Sequence, residues 1–572
     1  MGIKLKKFIP SLLVFAFSMP AAGQSDAVSE LYQEAVVLTE AGDMWGVIEV
    51  FDSIAELDPD YAPVYIDRGM VYRDLGELDL SLQDYNTAIE LDTSYGLAYY
   101  GRGMTYFYMA EYENALADLE EAIILSPRES SYYNARGAAF KALGQSELAL
   151  QDFDRAIELD PESSSGYNNR GWLMFDMGNV QQAIDDLTMA VTLNPANELA
   201  YMHRGVIYVD MGEMELALQD FDRAIEIKPD YAQCISYRGD TYSAMGQMQK
   251  AIEDYNAAIA LAPARDVVYF NRGLCYLDVG NYQGALEDLS MVISMNPADL
   301  EAYVNRVEAN MNLGNYQAAL EDLNTALEMG YDPSFIYNNM AVAQMNLGQY
   351  ATALESLDQA VSHDPDNPDR YFTRGDYFWT MGHLEASMED FETVLEMDPD
   401  NLTAHLRMGF GYLQADQLEE ANYHYSAAVE LDPGDPDILY YRAYTNFRLE
   451  NYDQALSDFD LLMQQVPDDP TYYSVRGWIY SRTGQTEQAM EDFATAIELD
   501  PYCKTAYLNR GETCLQTGDY DQALEDLNRV IEIDPYAAQA YYSRGKAHEA
   551  LGNDEEAQQD FAIASSMGYY GE

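Results

Sequence analysis

A proline returns along this chain in a fixed 34-residue register, at Pro59, Pro127, Pro161, Pro195, Pro229, Pro263, Pro297, Pro365, Pro399, Pro433, Pro467, Pro501 and Pro535. Thr93, Tyr331 and Tyr569 occupy the same slot where the proline is missing. Residues 130–163 show what lies between stops: SSYYNARGAAFKALGQSELALQDFDRAIELDPES. Tyr133, Gly137 and Phe140 fall at helical spacing and halt at Gly144, while Ala149, Phe153 and Ala156 share one face and end at Pro161. That pattern predicts two amphipathic helices joined by a tight turn. Sixteen such repeats tile residues 28–571 without an insertion or a deletion. A single hairpin leaves an apolar face uncovered, so neighbours must stack and the chain must grow along one axis.

An aromatic at repeat position 4, small residues at 8, 20 and 27, and proline at 32 resemble the tetratricopeptide repeat. The resemblance implies an all-α fold, an α-solenoid built as a right-handed superhelix of antiparallel helix pairs. First helices would line its concave surface and second helices its outside. On this reading residues 1–23 are a signal peptide and residues 24–572 the superhelix.

One feature departs from the family pattern, which favours leucine at position 7. Arginine stands there in thirteen repeats, each time with aspartate sixteen residues later, as in Arg136 and Asp152, Arg238 and Asp254, and Arg476 and Asp492. The three repeats without the arginine carry Glu34, Met340 and Met408, and they lack the aspartate too, having Val50, Ser356 and His424. Both residues lie eight positions from the turn, so an antiparallel hairpin sets them at equal height. A bidentate guanidinium–carboxylate pair of structural purpose is expected. Its rival is an arginine ladder that binds an anionic ligand.

The family's concave positions are 2, 5, 9, 12 and 13. They hold Tyr100, Phe107, Trp172, Phe175, Phe270, Phe372, Trp379, Phe410, Tyr440, Tyr444, Phe447 and Trp478. Aromatic side chains on a surface that packing does not require are binding material. These twelve are the candidate partner-binding groove, against the plainer reading that they pack neighbouring first helices. The resemblance implies a protein–protein interaction scaffold whose partner is a protein or an extended peptide.

Composition narrows the alternatives. A formal net charge of −67 argues against nucleic acid and against anionic membranes. Lys4, Lys6 and Lys7, the apolar run Phe8–Phe17 and the small residues Ala21, Ala22 and Gly23 read as a secretory signal. The expectation is an exported protein, periplasmic or secreted, with no stable membrane span after cleavage. Four cysteines are too few for a disulfide framework, so free thiols are expected. The six histidines stand singly in the sequence, without zinc spacing, and no phosphate loop or nucleophile elbow occurs. No enzyme activity, cofactor or metal is therefore expected. Repeats 9–13 are irregular, with Tyr331 in the proline slot and Asp416 and Glu450 in place of turn glycines. They read as drift, a binding locus or a flexible joint. The alternative function is a structural subunit of an envelope assembly that associates through its ends or convex face, with the C-terminal repeat as a route to oligomers.

Overall fold

The computed structural model describes residues 26–571, so the segment read as a signal peptide lies outside the described residues. Every regular element described is an α-helix, thirty-two in all, two to each repeat. In repeat 4 they are Ser130–Ala142 and Ser146–Leu159. On either side of the Leu313–Gly314 turn, consecutive helices pack on one another, which is the α-solenoid expected from the period.

The turns explain the punctuation. Gly144 has φ of 73°, and the amides of Gly144 and Gln145 donate to the carbonyls of Lys141 and Phe140, each at 2.9 Å. This satisfies carbonyls left over at the helix end and favours glycine, because the left-handed region crowds a Cβ. Ala110, Asp416 and Glu450 take the same turn with φ of 59°, 61° and 62°. The residue replaced; the conformation did not. At the other end, the amide of Asp160 closes the second helix onto Ala156 and Pro161 prevents its continuation. Several first helices then open on a capping side chain, as where Asn401 accepts from the Ala404 amide at 3.0 Å.

On either side of the Leu313–Gly314 turn the core sits between paired helices and between neighbouring hairpins. In repeat 4, Ala149, Phe153 and Ala156 are buried, and a Cβ on Gly137 would lie 2.7 Å from the Phe153 ring. Position 8 is thus small because position 24 is large. Burying such a ring stabilises the fold by about 1.5–3 kcal/mol.

The described helices form two compact bodies, one ending at Leu313 and the other beginning at Gly314, at the turn of repeat 9. The irregular junction after repeat 9 is well capped: Gly330 takes φ of 91°, Tyr331 meets Phe335 edge-on at 5.4 Å, and Asp332 accepts from the Ser334 amide at 3.0 Å. All four cysteines are free and buried. Among the described residues no helix is long and apolar enough to cross a membrane.

Candidate partner-binding face

The charged pairs define which side chains are available to a partner. In twelve repeats the arginine Nε and Nη2 donate to the two oxygens of the aspartate sixteen residues ahead, at 2.6–2.9 Å. Arg136–Asp152, Arg238–Asp254 and Arg476–Asp492 are among them. Many of these arginines also reach backward. Nη1 of Arg170, Arg204 and Arg238 donates to Asp154, Thr188 and Asp222 of the preceding repeat, at 2.8, 3.0 and 2.6 Å. In most of them the guanidinium also lies over the tyrosine three residues earlier, as for Arg136 at 5.7 Å from the Tyr133 centroid, though Ile235 and Leu439 stand there before Arg238 and Arg442. Its donors are thus directed at the chain's own acceptors. Burial raises the pKa of Asp84 and Asp220 even though their arginines pull the other way, so desolvation offsets much of the Coulomb gain.

On the first-helix face of the first body, Trp172 in the helix Ser164–Asp176 is the centre of a built arrangement. Its ring stacks on His203 at 4.3 Å and 13° and meets Phe175 at 5.6 Å. The Lys141 ammonium lies 5.2 Å from the indole centroid and 2.9 Å from Asp176. Behind the ring runs a one-way chain of hydrogen bonds. His203 Nδ1 donates to Asn168 Oδ1 (2.9 Å), Asn168 Nδ2 to Asn169 Oδ1 (3.0 Å), and Asn169 Nδ2 to Asn134 Oδ1 (3.1 Å). Burial, with the Lys141 charge nearby, pushes the His203 pKa down to about 4, so the ring stays neutral. In front lies a cavity of about 280 Å³, lined by Phe107, Ala138, Lys141, Ala142, Phe153, Asn169 and Trp172. An apolar wall with an amide and an ammonium at its rim can hold a large side chain and its adjoining peptide group.

In the second body the candidate aromatics also contact one another across repeats. Trp379 meets Phe410 at 5.6 Å, with the Arg407 guanidinium 5.5 Å from its centroid and 2.8 Å from Asp376. Trp478 meets Phe447 edge-on at 4.5 Å and carries Arg482 at 5.3 Å. Tyr440 stacks on Tyr444 at 6.3 Å and lies 5.9 Å from Tyr472. None of the twelve candidates is fully exposed and none is fully buried. Tyr100, stacked on Tyr132 at 4.8 Å, Phe270 beside the Leu289 core, and Phe372, 5.5 Å from Phe391, chiefly join the packing. The rings therefore form a floor between neighbouring first helices rather than projecting from it.

Two arrangements escaped the sequence. The amide chain through Asn134, Asn168 and Asn169 was missed because position 5, shared by Asn134 and Asn168, carries unrelated residues such as Met202 and Phe270 in other repeats. The histidines, read as standing singly, include a buried pair: His405 Nδ1 lies 3.0 Å from His424 Nδ1. His405 Nε2 donates to the Pro399 carbonyl at 3.0 Å, so its Nδ1 is the acceptor and His424 Nδ1 the donor. His424 fills the aspartate's slot in a repeat whose arginine is Met408, which is why a neutral partner suits it. Among the described residues no group of three or more histidines, cysteines and carboxylates could hold a metal ion.

Family models agree with this architecture. Family models described as tetratricopeptide repeat match residues 97–129, 130–163, 153–185, 199–231, 270–334, 334–367, 372–436, 412–479 and 470–503. A model described as TPR repeat matches residues 69–110, 239–280 and 511–552. No curated protein matches the chain. Among solved structures, a tetratricopeptide repeat protein from Parabacteroides merdae is 21% identical, covering 44% of this chain and 99% of its own, with a TM-score of 0.37. The Cut9–Hcn1 hetero-tetramer is 14% identical over 78% of this chain and 96% of its own, with a TM-score of 0.33. YrrB, a repeat protein with an unusual peptide-binding site, is 28% identical over 33% of this chain and 97% of its own, with a TM-score of 0.26. The period, the stacked hairpins and the matches along the chain make it a member of the tetratricopeptide repeat family.

Proposed function

We propose that this chain is an exported, non-enzymatic scaffold that binds an extended segment of another protein on its first-helix face. The observation that carries the reading is the cavity beside Trp172, where Phe107, Ala138 and Ala142 supply apolar wall and Asn169 and Lys141 supply polar rim. A side chain entering it would shed water, while its backbone lies beside the amide row. Export rests on the Lys4–Gly23 pattern, and N-terminal sequencing of the native protein should find a start near Gln24.

The test fills the cavity without removing anything. Ala138→Trp places an indole where the ligand side chain would sit. Peptides selected on residues 24–572 from a displayed random library should bind the parent and lose at least about tenfold on the filled protein, the scale of one excluded side chain. Equal binding to both proteins, with the helical signal unchanged, would remove the cavity from the function.

A further inference from the structure

Three tyrosines at the C-terminal end of the chain share repeat position 33: Tyr502, Tyr536 and Tyr570, spaced by 34 residues. They are among the most exposed large side chains in the protein, at 69%, 83% and 75%. Elsewhere in the chain this position carries small or polar residues such as Ala196, Asp366 and Asp400. Single exposed aromatics need no explanation, but three at one position in three consecutive repeats form a stripe. Backbone geometry holds two of them alike, since the amides of Tyr502 and Tyr536 donate to Asp500 and Asp534 at 2.9 and 3.0 Å.

The chain itself shows what such a ring takes. The Arg529 guanidinium lies 5.2 Å from the Tyr502 centroid, steadied by Glu532 at 3.0 Å. One repeat further on, the residue equivalent to Arg529 is Ile563, so the Tyr536 ring receives no cation from that position. The turns before Tyr502 and Tyr536 are also acidic, with Glu498, Asp500, Glu532 and Asp534 against Lys504, bound to Asp534 at 2.7 Å, and Arg529, while the turn before Tyr570 carries Ser566 and Gly568. An exposed ring beside carboxylates attracts a guanidinium or ammonium through its face, and the net charge of −67 draws such groups in from a distance.

We propose that Tyr536 and Tyr570 dock a basic, arginine-bearing segment of a partner protein, continuing outward the cation-on-tyrosine contact that Arg529 makes at Tyr502. This surface is separate from the cavity beside Trp172 and does not depend on it.

The probe is a short fluorescein-labelled peptide of alternating arginine and glycine, with a citrulline version as its neutral twin, measured by anisotropy at roughly physiological salt, where the Debye length is about 8 Å. The arginine peptide should bind residues 24–572 and the citrulline peptide should not. Tyr536→Ala with Tyr570→Ala should weaken binding about tenfold, as two exposed cation–ring contacts would. Tyr536→Phe with Tyr570→Phe should keep it, because the ring faces remain. Tyr423→Ala removes a ring of 67% exposure from another acidic helix and should change nothing. Unchanged binding in the double alanine variant overturns the proposal, leaving only general attraction to an acidic surface. An equal loss with Tyr423→Ala overturns it too, as does equal binding of the citrulline peptide.

Discussion

Arg238 holds the carboxylate of Asp254 through two parallel hydrogen bonds, of 2.8 Å from Nε and 2.6 Å from Nη2. The pair is mostly shielded, with side-chain exposures of 22% and 10%. Arg238→Met alone should strand a carboxylate and cost on the order of 3 kcal/mol, and Asp254→Ala alone should cost similarly. The double variant should recover much of the loss, with a coupling of roughly 1–3 kcal/mol. Alanine is the better aspartate replacement here, because Ser356 of repeat 10 relies on Gln344 at 2.9 Å and repeat 7 has Tyr242 in the equivalent place. Asp222→Ala removes only the backward tie to the preceding repeat, whose carboxylate is 51% exposed, and should cost about 0.2–1 kcal/mol. Amide exchange within repeat 7 reads all four variants locally. Additive single effects would mean that the pair is not energetically coupled.

The three left-handed turns without glycine offer a gain. Ala110 at φ of 59° and Glu450 at 62° hold a backbone that a Cβ disfavours. Ala110→Gly and Glu450→Gly should each stabilise the local hairpin by about 1 kcal/mol. Asp416→Gly should gain less, since Asp416 also accepts from Arg448 at 2.6 Å. Thermal or denaturant midpoints would show the order, and a loss at Ala110 would sink the account.

The buried histidine pair makes repeat 12 sensitive to acid. Burial, with a smaller contribution from His405, pushes the His424 pKa from the usual 6.5 down to about 4. A depressed histidine favours the neutral folded form, so its contribution is fully present above about pH 6.5 and is lost as pH falls toward 4. Protection of residues 402–431 should therefore fall through that window by roughly 3 kcal/mol, more steeply than in regular repeats. An NMR titration of His424 with a midpoint at the ordinary value would contradict this.

The fold was readable because the chain contains many internal copies of one sentence. Proline, turn glycine and the Gly137–Phe153 complementarity each recur at one position, so drift in any copy is outvoted. The Arg–Asp pair was visible for the same reason: Met340 with Ser356 and Met408 with His424 lose both members together. The backward tie was not visible, since its acceptor varies among Asp154, Thr188, Asp222 and Asn528 and only their oxygens are alike. Nor was the pairing of His405 with His424, which needs the detailed hairpin register. Spacing located the groove aromatics but could not tell a projecting ring from a half-buried floor, because that depends on what the neighbouring repeat supplies, such as His203 beneath Trp172.

That half-burial shapes the last prediction. Trp172, Trp379 and Trp478 each touch a ring of an adjacent repeat, at 4.3, 5.6 and 4.5 Å. Truncating any of them to alanine should loosen its own repeats by a few kcal/mol at most, below the about 3–5 kcal/mol typical of a fully buried tryptophan. Partner binding should fall further than local stability does if the ring also faces the ligand. The two effects separate when local exchange and peptide affinity are measured on the same variant. For Trp172→Ala, binding of cavity-selected peptides should drop at least about tenfold, since tryptophan anchors commonly carry 2 kcal/mol or more. Trp172→Phe restores a ring against His203 without the full indole, so exchange should recover toward the parent while affinity recovers only in part. If affinity instead follows exchange step for step across both variants, Trp172 acts through packing alone. The binding contacts would then belong to Phe107, Lys141 and Asn169, which line the same cavity.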